Sequence, residues 1–167
     1  LRDDAGNPLG DFDALIVSAP APLTEALLSH AAADLAEIAA GVTFAPVWAL
    51  MLAFIGPDAL RYDGLFFDTP ELSWAARNAS KPGRGGQTWV VHAAPAWTRR
   101  HLDAGHDQVA ETLTRAFCRY TGIDAGGVSL RDTHRWLYSL VDEPLQAEAL
   151  WDPGRRLAVC GDWCHGA

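Results

Sequence analysis

Four short segments hold residue types and spacings that could do chemistry. Gly161-Asp162 follows the apolar run Leu157 to Cys160. A glycine at a strand end lets the backbone come close to a bound molecule, and a polar residue after it can meet that molecule's oxygens. Taken alone, the dipeptide is also an ordinary turn. His134-Arg135-Trp136 lies in the run Val128 to Leu140. Strand alternation sets His134 and Trp136 on one face and Arg135 on the other. That face either meets a ligand or carries a packed Trp beside a surface His. His92 sits in the apolar run Gln87 to Ala94, where it reads first as a core histidine and second as a pocket residue. Trp74 and Asn78 precede Lys81-Pro82-Gly83-Arg84-Gly85-Gly86, which reads as a solvated hairpin turn before it reads as a phosphate loop. Trp74, Trp89, Trp97, Trp136, Trp151 and Trp163 could line an aromatic pocket, although most of them suit core packing.

Other chemistries are poorly supplied. Cys160, Cys164 and His165 give C-x-x-x-C-H with no second ligand pair, so no metal site is expected. There is no G-x-S-x-G elbow and no identifiable carboxylate pair, and no catalytic residue is assigned. The net charge is −8 with the acids spread along the chain, which argues against a nucleic acid partner. The longest apolar run, Phe44 to Ile55, stops at Gly56-Pro57 and suits a core strand, so no membrane partner is expected. Three cysteines and no visible signal peptide point to a reducing, cytoplasmic compartment.

The frame for these segments follows from periodicity. The chain has 167 residues, enough for one good core. Phe12 to Ser18 reads as a short buried strand, and Pro20-Ala21-Pro22 opens a helix with Leu23, Leu27 and Leu28 on one face. An Ala-rich helix follows from Ala31 to Ala40, ending near Gly41. Strands are then predicted over Val47 to Ile55, Gly64 to Asp68, Leu72 to Asn78, Gln87 to Ala94, Val128 to Leu140 and Leu157 to Cys160. Pro95 to His101 begins a helix or turn. Asp107 to Tyr120 carries Val109, Leu113, Ala116, Phe117 and Tyr120 on one stripe and stops at Gly122. The order gives an α+β fold: a mixed, mostly antiparallel sheet with helices packed on one face.

Four strings, SWAARNASKPGR, WVVHAAPAWTRRHL, HRWLYS and CGDW, fall in an order and at a spacing that resembles the renalase-like branch of the flavin-containing amine oxidase superfamily. The resemblance covers nearly the whole chain and is weak in the first forty residues. It implies the substrate domain of a two-domain flavoprotein, an FAD-dependent oxidoreductase or oxidase. Such a protein passes a hydride from a small reduced substrate, an amine or a reduced nicotinamide, to flavin and then electrons to oxygen. In that family a Rossmann unit with G-x-G-x-x-G holds the FAD pyrophosphate, and no such string occurs here. The chain, which starts at Leu1 and stops at Ala167, is thus expected to be a fragment missing its N-terminal dinucleotide-binding segment, to purify without FAD and to be inactive alone. Residues 1–43 would be the end of the dinucleotide-domain strand with connecting helices. Residues 44–155 would be the substrate domain, and 156–167 the return strand with the Gly-Asp motif, cut short. The resemblance places Gly161, Asp162 and Pro20 at the cofactor and the middle of the chain over the flavin, which makes Trp74, Asn78, His92, His134 and Trp136 candidates for the substrate pocket. A stand-alone α+β binding or interaction domain without cofactor is the alternative.

Overall fold

The computed structural model describes residues 2–56 and 60–166. Leu1, Pro57 and Ala167, which the sequence reading used as start, strand stop and end, lie outside the described residues. The chain divides into two compact units. A split unit comprises Leu1–Phe44 and Val141–Ala167, and a central unit comprises Ala45–Leu140. The fold is α+β with mixed and antiparallel sheets, as the element order required.

The central unit is built on strands β2 (Phe44–Phe54), β3 (Gly64–Phe66), β4 (Leu72–Arg77), β5 (Gln87–Ala93) and β6 (Val128–Val141), in the order β3-β4-β5-β2-β6. The unit boundary falls at the first residue of β2 and the last of β6. β4 and β5 form the hairpin expected around the Lys81 to Gly86 loop, pairing Ala75 with Val91 and Ala76 with Val90. β5 pairs antiparallel with β2, placing Val91 opposite Leu50 and Trp89 opposite Leu52. Alternation therefore gives this sheet a heavy face of Leu50, Leu52, Phe54, Trp89 and Val91, all buried. Helix α4 (His106–Thr121) covers that face with Val109, Leu113, Ala116 and Phe117. The Phe117 ring lies 5.5 Å from that of Trp89 and 6.4 Å from that of Phe54. Each such side chain contributes about 1.5–3 kcal/mol on burial. The helix stops where Gly122 turns left-handed (φ 76°) and its N–H reaches Cys118 O.

Tyr120 leaves the stripe the spacing gave it. It is 40% exposed, because its hydroxyl is satisfied at the surface by donating to Glu71, which also pairs with Arg119. Trp48 is buried, with its indole N–H donated to His101 O, and helix α3 (Pro95–Arg100) brings Thr98 Oγ1 to its backbone N–H.

The split unit holds strands β1 (Leu15–Val17), β7 (Leu150–Asp152) and β8 (Leu157–Val159) in the order β1-β8-β7. β1 and β8 run parallel and β7 antiparallel to β8. Helices α1 (Ala21–Leu28) and α2 (Ala33–Ala40) share a core with Val17, Leu157, Val159 and Trp163. The buried face of α1 is Ala21, Thr24 and Leu28, and not the Leu23-Leu27-Leu28 face. Thr24 turns inward because its hydroxyl donates to Ala19 O, which leaves Leu23 and Leu27 exposed. A one-turn helix, α5 (Asp162–His165), follows Gly161 directly, where the sequence reading had the chain ending on a strand.

Candidate functional site

Two groups of candidate residues are assembled, one in each unit. In the split unit the parallel pairing of β1 and β8 sets Leu15 opposite Leu157 and Val17 opposite Val159, so both strands end at one edge. Beyond that edge run Ser18-Ala19-Pro20 and Cys160-Gly161-Asp162. The Cys160 N–H donates to Val17 O at 3.0 Å, and the Trp163 indole N–H donates to Ala19 O at 3.0 Å. Pro20 caps α1, its carbonyl accepting from the N–H groups of Leu23 and Thr24. Thus Pro20 and Gly161-Asp162 each follow the carboxyl end of one of two adjacent parallel strands, the end at which open α/β sheets bind ligands. Gly161 has φ 151°, and a Cβ there would meet Trp163 Cδ1 and Nε1 at 2.9 Å. Packing of Trp163 therefore accounts for this glycine without any ligand. The Asp162 side chain is exposed and has no hydrogen-bond partner among the described residues. Cys164, buried behind it, has its thiol pushed up by burial.

In the central unit the register fixes what lies on the face opposite α4. One row across the strands is Phe66, Trp74, His92 and Ala49; the next is Gly64, Ala76, Val90 and Met51; Thr88 and Ala53 follow. Large rings thus border a floor of short and aliphatic side chains. The Trp74 and His92 rings are 5.0 Å apart at 54°. His92 is half-buried, and burial holds its imidazole below the usual value, so it is neutral near pH 7. A cleft of about 310 Å³ lies over Met51, Ala53, Thr88 and Val90, with Asn78, Arg84 and Leu130 also lining it. Thr88 Oγ1, in this floor, is buried without a hydrogen-bond partner among the described residues. Arg84 Nη1 donates to Asn78 Oδ1 at 2.5 Å.

On β6 the alternation holds. Thr133 is buried and meets His106 at the start of α4, and the Arg135 guanidinium lies 5.7 Å from the Trp48 ring and donates to Leu102 O. His134 and Trp136 consequently point to the face opposite α4, their rings 4.2 Å apart. Trp136 is 51% exposed. β2 separates β6 from β5, so on this shared face His92 lies about 10 Å and Trp74, on β4, about 14 Å from the His134–Trp136 pair in the strand-to-strand direction.

The broader aromatic pocket is not formed. Trp89, Trp97 and Trp163 are core residues, and Trp151 is exposed. The floor residues Met51, Ala53, Thr88 and Val90 were not singled out by sequence. The signal available was the alternate apolar residues Ala49, Met51 and Ala53 within β2, two of them alanines. Among the described residues no group of three or more His, Cys, Asp or Glu could hold a metal ion. Nor is any helix among them long and apolar enough to cross a membrane.

No protein-family model matches the chain. Its fold is similar to a crystal structure described as "Putative protoporphyrinogen oxidase from Exiguobacterium sp. 255-15", with a TM-score of 0.57 and 15% identity. The match covers 96% of this chain and 38% of that one, so the chain spans well under half of its neighbour's length. At this identity the likeness is one of fold.

Proposed function

We propose that this chain is the substrate-facing part of an FAD-dependent oxidoreductase acting on a small reduced molecule, an amine or a reduced nicotinamide. The observation that carries the reading is that Ser18-Ala19-Pro20 and Cys160-Gly161-Asp162 both leave the adjacent carboxyl ends of the parallel strands β1 and β8, joined by the Cys160 N–H on Val17 O. In this reading the exposed Asp162 carboxylate and the strand-end backbone approach polar groups of the cofactor. The dinucleotide's pyrophosphate is then held by a glycine-rich segment of a kind this sequence does not contain. That the fold neighbour bears the name of an oxidase supports the same class.

The central unit is then the substrate domain. Its face of Ala49, Met51, Ala53, Ala76 and Val90 is flat and apolar enough to receive a planar group, with Trp74, Asn78, His92, His134 and Trp136 around the substrate. His92, uncharged near neutrality, offers one bare ring nitrogen that accepts a proton or hydrogen bond. A flavin, when bound, supplies the hydride acceptance and the passage of electrons to oxygen. The test adds FAD at millimolar concentration to the chain and follows amide shifts by NMR. Shifts at Gly161 and Asp162 support the assignment, whereas their absence overturns it.

A further inference from the structure

The charge of the chain reverses in the segment that supplies Asn78, Arg84, Thr88 and Val90 to the cleft. Overall the net charge is −8, yet residues 72–102 contain no Asp or Glu and five cations: Arg77, Lys81, Arg84, Arg99 and Arg100. Lys81 is the only lysine in the chain. Arg77 is neutralised by Asp63 at 2.5 Å. Arg84 is not neutralised. It contacts the neutral Asn78 side chain and pairs with no carboxylate among the described residues.

Its position is built by the local sequence. Lys81-Pro82-Gly83-Arg84 closes a turn with the Arg84 N–H on Lys81 O at 3.2 Å, and Gly83 adopts φ 73°. Proline followed by glycine is the pair such a turn demands. The turn sets Arg84 beside the cleft that Met51, Ala53 and Val90 line. Asn78 engages one guanidinium nitrogen; the remaining donors suit a planar, doubly accepting anion.

We infer that the cleft takes a flat organic anion, its apolar body on the Met51–Val90 floor and its carboxylate or phosphate on Arg84. The inference rests on the reading of this face as the substrate face. It adds a specificity: the molecule carries negative charge, and a neutral amine of the same shape is a poor ligand.

The experiment titrates the chain with 2-naphthoate, 2-naphthyl phosphate and the neutral 2-naphthamide, with amide shifts as readout. Either anion should bind at the cleft at least about tenfold more tightly than the amide, as one charge-assisted contact implies. Whichever anion binds tighter identifies the source of the charge. In Arg84→Gln the preference should disappear while amide binding persists, and the unchanged remainder of the spectrum reports that the variant folds. Equal binding of anion and amide by the native chain overturns the anion assignment and leaves the planar-ligand face standing. Absence of shifts in the cleft with all three probes overturns both.

Discussion

Trp163 fills the space a side chain at Gly161 would need: its Cδ1 and Nε1 would each lie 2.9 Å from a Cβ built there. The indole is itself fixed, buried and bonded to Ala19 O, so it cannot give way cheaply. Gly161→Ala combines this clash with a φ of 151° that L-residues rarely adopt. It should destabilise the chain by about 2–4 kcal/mol, measured by urea unfolding. A loss below about 0.5 kcal/mol would mean that Trp163 is free to move.

Asp162 beside it should behave in the opposite way. Its side chain is exposed and unbonded among the described residues, so Asp162→Ala should change stability by about 0.5 kcal/mol or less. Under the proposed function the same variant weakens FAD-induced shifts about tenfold or more, since a lost hydrogen bond to a cofactor oxygen costs about 1–3 kcal/mol. A destabilised variant with undiminished FAD response would make Asp162 a structural residue.

Phe117 is the keystone of the central unit, fully buried between Trp89, Phe54 and Phe67. Phe117→Ala should cost about 3–5 kcal/mol. Tyr120→Phe, three residues on at the surface, should cost about 1 kcal/mol, the worth of one hydrogen bond to Glu71.

His92 gives a pH dependence. Burial lowers its value in the fold below the ordinary 6.5, so between the two values the unfolded chain binds more protons than the folded one. Its contribution to stability is therefore present above pH 6.5 and is lost as pH falls through the folded value. Unfolding measured across this range should show a smaller acid loss in His92→Gln than in the native chain. An equal loss in both would move the effect to another group.

The sequence was legible where a single period ran long enough. The α4 stripe, the alternation of His134 and Trp136, and the β4–β5 hairpin all followed from spacing and turn residues. It was not legible where tertiary partners decide. Thr24 displaces Leu23 and Leu27 from the core because its hydroxyl, turned inward, finds Ala19 O as an acceptor. β7 has only three residues, too few to display alternation, and exists because β8 pairs with it. Arg84 could be read only as part of a polar turn, since its place at a cleft depends on β2 and β6 strands distant in sequence.

The division of the chain has a consequence for its synthesis. The central unit is one continuous stretch, Ala45–Leu140, so its core can close as soon as that stretch has left the ribosome. The split unit cannot, because Leu15 must wait for Leu157, which is made only after the whole central unit. Until then α1 and α2 have no β8 or Trp163 to bury their apolar faces. The segment carrying α1 and α2 is thus exposed to chaperones and proteases in the interval, and closing it across the length of the central unit is the slow step.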